Sequence, residues 1–238
     1  MVQFGTYIIN EGGEILSERS FPRLTLDNPS GLFLYFACTM KGVWSLCDKI
    51  YKRAVLNGLD WLNTVMADDY YCSAQLFLKA EKFMAIKDVF YYYVQHPSSI
   101  MHQSYMMKEK REDCINGHDI VINLAQRNFP EFVPDLLLRK LKDLQSMFIS
   151  CSESNSPDKH EVLKQLKEYL RETYKLMNLE LKKQHSNLND RPKLANLSEE
   201  YKYSLKDKAI MYLFSNYPSF FYKFYLAPRL KLHTLTGI

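Results

Sequence analysis

The sequence predicts an α/β protein that is rich in helix, with its strands in the first part and a helical C-terminal region. Strand-like patterns are concentrated at residues 2–10, 14–17 and 83–95. From about residue 108 the apolar side chains recur at helical spacing instead. A chain of 238 residues is long enough to bury an ample core. We therefore expect two regions, residues 1–107 and residues 108–238.

A β-hairpin is predicted at the start of the chain. Residues 2–10 alternate well enough for a strand, and residues 14–17 can return as a second strand. The sequence Glu11-Gly12-Gly13 between them is a turn signal. The hairpin would therefore close over a short glycine-containing turn.

The first helix is predicted to begin near residue 28. Residues 27–30 have the sequence Asp-Asn-Pro-Ser, which offers a polar cap, and an apolar run follows over residues 32–38. Residues 44–53 are predicted to begin extended and to turn into a short helix.

A longer helix and a strand are predicted next. Residues 68–82 place Tyr71, Ala74 and Leu78 at helical spacing, with carboxylates at the end of the helix that favours negative charge. Residues 83–95 are rich in β-formers and are followed by His-Pro, so they predict a strand.

The rest of the chain is predicted to be helical. Three helices are expected, at residues 111–127, 133–150 and 161–184. Polar breaks at residues 152–158 and 186–193 separate them from their neighbours, and a capping-box-like sequence at Ser198 begins a final helical region.

Composition and charge exclude several classes of protein. The net charge of +4 is too mild to indicate a nucleic-acid partner. Five cysteines without metal-site spacing indicate reduced thiols in a cytoplasmic protein. We expect no secretory signal and no membrane-spanning segment. The 17 tyrosines and 14 phenylalanines suit sugar-stacking sites, interfaces between copies and membrane surfaces equally well.

Three segments carry a resemblance to a known family. Residues 44–53 are WSLCDKIYKR, residues 66–83 are MADDYYCSAQLFLKAEKF and residues 88–100 are DVFYYYVQHPSSI. The segments carry, in this order, a Trp/Lys/Arg cluster, a carboxylate pair at a helix start and an aromatic strand. This order resembles the acceptor-side half of family-two glycosyltransferases of the GT-A fold. These enzymes build bacterial surface polysaccharides such as capsule and lipopolysaccharide. The resemblance covers about residues 2–105 and implies a partial GT-A-like half domain with a short mixed sheet.

The resemblance implies a catalytic base and two acceptor-binding residues. In inverting enzymes of the family a carboxylate removes the proton from the acceptor hydroxyl as that oxygen attacks the anomeric carbon. The family's base falls on Asp69, and Asp68 and Trp44 take acceptor-binding roles. A purely structural alternative remains, since Asp at a helix start is a common cap and Trp44 can anchor the core.

Three further residues match positions that contact the donor or its diphosphate in the family. A positive charge at Lys49 would offset the leaving diphosphate, or would hold a carboxylate instead. His96 and Ser99 match the basic residue and the serine of a loop beside the donor and acceptor site. His96 and His102 together form too weak a pattern for a metal site, so no metal ligand is predicted.

The resemblance also identifies what the sequence lacks. Complete enzymes carry a nucleotide-binding half of roughly a hundred residues, with an Asp-x-Asp that holds Mg²⁺ or Mn²⁺ on the diphosphate. The sequence contains no Asp-x-Asp, no P-loop and no Gly-x-Gly-x-x-Gly. We therefore expect no cofactor on this half alone, with Mg²⁺ or Mn²⁺ needed by a complete enzyme. An unpaired sheet edge should favour pairing with another chain.

The end of the chain has a distinct composition. Residues 201–232 contain apolar aromatic faces bordered by lysine and arginine, which is typical of a segment on an anionic membrane surface. The alternative is a pair of helices that pack into the core or into a dimer interface. The membrane hypothesis predicts a cytoplasmic protein that is peripheral at the inner face of the membrane.

Three functions remain open at this point. The first is a glycosyltransferase, as a fragment or truncated member, that uses a nucleotide sugar and a glycan or lipid-linked acceptor. The second is a non-catalytic sugar-binding or assembly protein on the same half-fold, with a homo-oligomer as a further expectation. The third, a basic helical nucleic-acid module, is the least supported because the charge is mild and no recognisable motif occurs. We predict no nucleic-acid partner.

Overall fold

The protein, seen in a computed structural model, has an α/β fold with a mixed sheet and a helical C-terminal region. The structure describes residues 1–38, 44–62, 64, 67–99, 104–184 and 214–218. The strands are β1 (Val2–Ile9), β2 (Ile15–Arg19), β3 (Leu24–Leu26), β4 (Lys49–Ile50) and β5 (Phe83–Val94). The helices are α1 (Pro29–Cys38), α2 (Arg53–Leu56), α3 (Asp68–Lys79), α4 (Lys108–Asn128), α5 (Val133–Glu153) and α6 (Lys159–Gln184).

The predicted hairpin is confirmed. Strands β1 and β2 pair antiparallel, with Tyr7 opposite Glu18. Gly13 has φ of 82°, a left-handed conformation that favours glycine in the turn. The side chain of Asn10 accepts a hydrogen bond from the backbone N–H of Glu14 at 2.9 Å, which closes the turn.

Strand β1 pairs in parallel with β5, and Tyr7 lies opposite Tyr92 in this pairing. A Cβ atom at Gly5 would lie 2.8 Å from the Val89 side chain and 2.9 Å from the carbonyl oxygen of Arg19. The close approach of the strands therefore requires glycine at this position. Strand β3 pairs antiparallel with β5 and β4 with β1, so the sheet order is β2-β1-β5-β3 with β4 beside β1.

Among the described strands, none pairs with one side of β5 over most of its length. In the part of the chain that the structure describes, β3 covers only Phe83–Ala85 on the side of β5 opposite β1. Beyond it, Phe90 and Tyr92 are 66% and 58% exposed. Pairing of this edge with another chain stays a prediction.

The predicted helices form close to their expected positions. Helix α1 begins after Asn28, whose side-chain oxygen accepts a hydrogen bond from the Gly31 N–H at 2.6 Å, as the polar cap predicts. Helices α3, α4, α5 and α6 also occur where helical spacing was found, and α2 is the short helix expected after the extended segment. Helix α5 packs against α1, α4 and α6 and so lies at the centre of the helical region.

A shared hydrophobic core joins the two regions. It includes Phe36 and Phe77 from the first region and Leu141 and Leu166 from the second, all of them fully buried. A boundary between separate domains near residue 107 stays a prediction. The four cysteines whose side chains are described, Cys47, Cys72, Cys114 and Cys151, are free thiols.

Most of the C-terminal segment lies outside the described residues. Of residues 201–232, only 214–218 are described, and the final helix predicted from Ser198 is otherwise outside them. Phe214 is buried and meets Phe148 edge to face at 5.8 Å, as the core-packing alternative predicts for that residue. Among the described helices, none has the length and apolar character needed to cross a membrane.

Candidate functional site

A cavity of about 500 Å³ lies between the start of α3, strand β5 and helices α4 and α5. Its volume falls in the range of small-molecule sites. Three of the predicted site residues, Trp44, Asp68 and Asp69, line this cavity, and Tyr93 of the aromatic strand joins them. The fold thus brings together the three segments that carry the family resemblance.

The carboxylate pair opens helix α3 without capping it. The N-cap residue is Ala67, which has no side-chain hydrogen-bonding group. The Thr64 hydroxyl accepts a hydrogen bond from the Ala67 N–H at 3.1 Å and donates one to the Asp68 carboxylate at 3.3 Å. Asp68 and Asp69 occupy the first helical turn, where the helix dipole stabilises negative charge. Neither carboxylate is at the N-cap position, although both can stabilise the start of the helix through its dipole.

Asp69 has the electrostatic surroundings of a candidate base. Although the residue as a whole is exposed, desolvation of its carboxyl group raises its pKa above the ordinary value. The backbone N–H of Leu46 and the charge of Lys49 act in the opposite direction, while Asp68 raises the pKa further. A carboxylate with a raised pKa accepts a proton more readily, and this favours general-base chemistry.

Lys49 forms a buried ion pair with Asp48 and is not among the residues that line the cavity. Its ammonium lies 2.6 Å from the Asp48 carboxylate, and both side chains are 1% exposed. The Lys49 ammonium also donates to the Ser45 carbonyl, and the Gln3 side chain donates to Asp48 at 3.0 Å. Burial lowers the pKa of Lys49, and Asp48 partly offsets this effect. A contact of Lys49 with the donor phosphates stays a prediction.

His96 and Ser99 are not part of the cavity lining. The His96 ring forms an exposed pair with the Glu11 carboxylate at 2.6 Å, which links the end of β5 to the hairpin turn. The Ser99 N–H donates to the His96 carbonyl at 3.0 Å. Their predicted contact with the donor remains a prediction, and His102 lies outside the described residues.

Sequence reasoning missed the inner wall of the cavity. His118 lies on α4, and its Nε2 atom is 2.8 Å from the Asp143 carboxylate on α5. The Arg139 guanidinium lies over the Tyr70 ring at 4.9 Å and donates to the Phe36 carbonyl at 3.1 Å. In the sequence, His118 and Arg139 are visible only as polar residues within predicted helices, and this does not by itself identify a site.

Close packing of two helices positions the carboxylate pair. A Cβ atom at Gly117 on α4 would lie only 2.6 Å from the Cβ atom of Ala67. Glycine at this position therefore lets α4 approach the start of α3. This contact sets the distance between Asp68 and Asp69 on one side and His118 on the other.

Because His118 is buried, we expect the stability of the fold to decrease in acid. Burial lowers its pKa below 6.5; the bond to Asp143 opposes this shift, while Arg139 and Lys140 add to it. The unfolded chain then binds more protons below about pH 6.5, so stability falls as the pH decreases, by at most about 1.4 kcal/mol per pH unit for one proton. Urea unfolding between pH 8 and pH 5.5 should show a smaller decrease for His118→Gln than for the exposed control His160→Gln. Equal slopes in the two variants would contradict the prediction.

Comparison with known proteins does not assign a function to the cavity. No protein-family model, curated protein or solved structure matches the chain. Any function must therefore be argued from the residues of the cavity and from the resemblance carried by the three segments.

Proposed function

We propose that the chain is the acceptor-binding half of a family-two glycosyltransferase of the GT-A fold, with Asp69 as the general base. The observation that carries this proposal is the meeting of three sequence segments at one cavity. Trp44 comes from the first segment, Asp68 and Asp69 from the second, and Tyr93 from the third. These segments were singled out by the family's order of motifs, and their convergence supports a common role.

The proposed reaction is the transfer of a sugar from a nucleotide-sugar donor to a glycan or lipid-linked acceptor. An acceptor hydroxyl lies against the Asp69 carboxylate at the edge of the cavity. Its oxygen attacks the anomeric carbon, the bond from that carbon to the diphosphate breaks, and the proton moves to Asp69. Asp68, held by the Thr64 hydroxyl, orients the acceptor. Trp44 provides an aromatic surface for a sugar ring.

The residues assigned to the donor, Lys49, His96 and Ser99, are not among those that line the cavity. Among the described residues no cluster of three or more His, Cys, Asp or Glu side chains fits a Mg²⁺ or Mn²⁺ ion. No step of the proposed reaction runs through a metal ion. A peripheral position at the inner face of a membrane, through residues 201–232, is part of the proposal.

A sugar-binding or assembly protein without transferase activity is the second candidate. The absence of any Asp-x-Asp in the sequence favours it for the chain acting alone. The two candidates differ in one measurable property, since only the transferase requires Asp69 as a proton acceptor.

The test of the proposal compares two aspartates at helix starts. The coding sequence is first extended upstream of the Met1 codon, so that any nucleotide-binding segment encoded there in the same or a shifted frame is joined to the chain. Release of the nucleotide diphosphate from a panel of nucleotide sugars is then measured with glycan acceptors. We expect Asp69→Asn to lower kcat about 10²–10⁴-fold, because the acceptor loses its base.

Asp158→Asn is the matched control, because Asp158 precedes α6 and does not line the cavity. It should leave kcat unchanged.

Since the pKa of Asp69 is raised, the transfer rate should also fall on acidification at a higher pH than expected for an unperturbed aspartate. Full activity of Asp69→Asn would refute its role as the base. Sugar binding without diphosphate release in the extended protein would favour the second candidate.

A further inference from the structure

Three buried polar groups meet at the inner end of the cavity. Tyr70, His118 and Arg139 all line it, and they are only 9%, 5% and 3% exposed. The Tyr70 hydroxyl and the Nδ1 atom of His118 have no hydrogen-bond partner among the described residues. Buried polar atoms are normally paired, and both unpaired atoms belong to residues that line the cavity, which points to a polar ligand.

The hydrogen-bonding role of each group can be assigned. Burial lowers the pKa of His118, so its ring is neutral near pH 7 and carries one N–H. That N–H is on Nε2, because Nε2 faces the Asp143 carboxylate, and Nδ1 is therefore an acceptor. Burial raises the pKa of Tyr70 to about 12, so its hydroxyl keeps its proton. Arg139 is a donor only.

Arg139 retains donors for a ligand. One of its nitrogens donates to the Phe36 carbonyl, whereas a guanidinium has five N–H groups. No carboxylate of the described residues forms an ion pair with it. A ligand group that bonds to both residues would accept hydrogen bonds from Arg139 and donate one to His118.

Hydroxyl groups meet both requirements, whereas an ionised carboxylate cannot donate and an ammonium cannot accept. The charge of the cavity supports the same choice. Asp68, Asp69 and Asp143 line it against the single guanidinium of Arg139, so the lining is negative when these carboxylates are ionised. A negatively charged ligand would be repelled on entry.

We propose that the inner end of the cavity is a binding site for the hydroxyl groups of an uncharged sugar, held by Tyr70, His118 and Arg139. The sugar's oxygens accept from Arg139 and Tyr70, and one of its hydroxyls donates to His118 Nδ1. Binding of the sugar at this site does not depend on whether the protein transfers a sugar. The statement that this sugar belongs to the acceptor rests on the function proposed above.

The first test uses the unaltered full chain and measures the ¹⁵N chemical shift of His118 Nδ1, assigned by comparison with His118→Gln. The probes are the methyl glycosides of glucose, galactose and mannose, together with glucuronate as the anion and glucosamine as the cation. At least one neutral glycoside should move the Nδ1 resonance upfield in a saturable manner, and glucuronate should bind more weakly. Absence of any shift with the three glycosides, or tighter binding of glucuronate, would overturn the proposal.

The second test removes a single oxygen atom. Tyr70→Phe should weaken binding of the same glycoside about tenfold, as expected for one lost hydrogen bond. Because the hydroxyl has no partner in the described structure, the variant should melt no lower than the unaltered protein. Tyr35→Phe, a buried tyrosine outside the cavity lining, is the control and should bind normally. Unchanged affinity of Tyr70→Phe would contradict the proposed site.

The glycoside titration and the transfer assay, both carried out with Asp69 intact, separate the two proposals. If the sugar binds and no transfer is found, the proposed function fails and the site remains. If transfer is found and no shift occurs at His118, the site fails and the proposed function remains.

Discussion

Replacing Asp48 with alanine is expected to destabilise the protein by about 3–5 kcal/mol, the usual effect of breaking a buried ion pair from one side. The Lys49 ammonium would remain buried with only the Ser45 carbonyl as a described partner. The Gln3 side chain, which is fully buried, would lose its acceptor at the same time. Urea unfolding monitored by circular dichroism would measure the change.

The matched control for this prediction is Glu112→Ala. Glu112 forms an exposed pair with Lys108 at 3.7 Å, and its loss should change stability by less than about 0.5 kcal/mol.

The destabilisation caused by Asp48→Ala should also become smaller at high pH. Burial already lowers the pKa of Lys49, and loss of Asp48 lowers it further. As the pH rises, Lys49 therefore loses its proton in the folded variant at a lower pH than in the unfolded chain, and the folded variant is destabilised less. A loss below about 1 kcal/mol at pH 7 would contradict the prediction.

Replacing Phe77 with alanine is expected to cost about 3–5 kcal/mol, because a large cavity would open in the core. Phe77 is completely buried, and its ring lies 5.5 Å from that of Phe36 and 5.3 Å from that of Phe83. It thereby links α3, which carries the aspartate pair, to α1 and to β5. Chemical denaturation would show a lower midpoint.

Phe90→Ala makes the same chemical change at an exposed site of β5. Phe90 is 66% exposed, and its ring meets the Phe4 ring edge to face at 5.8 Å. Its loss should cost about 1 kcal/mol or less. Similar effects for the two variants would mean that the core around Phe77 relaxes to fill the space.

Local sequence patterns predicted most of the elements of this fold. The turn at Gly12 and Gly13, the cap at Asn28 and the helical spacing after Asp68 each depend on residues a few positions apart, so they are visible in the sequence. Strand β3 was missed, because three residues (Leu24–Leu26) are too few to display an alternation. Its strand character comes from pairing with β5, some sixty positions later in the chain.

The candidate site was predicted only in part, for a similar reason. Asp68, Asp69 and Trp44 were found because the family resemblance names them, and all three line the cavity. Arg139 reaches the Phe36 carbonyl across 103 positions, and no periodicity reports such a contact. The burial of Lys49 was equally hidden, because its partner Asp48 is the adjacent residue and the pair resembles an ordinary surface charge cluster.

The close contact between Gly117 and Ala67 has a consequence for how the site can diversify. The aspartate pair belongs to α3, whereas His118 and Arg139 belong to α4 and α5. A chimaera that exchanged α4 and α5 would replace the inner wall and leave Asp68 and Asp69 in place. The residues contributed by α4 and α5 can thus be exchanged while Tyr70 and the carboxylate pair stay with α3, provided that the incoming helix carries a glycine where α4 meets Ala67.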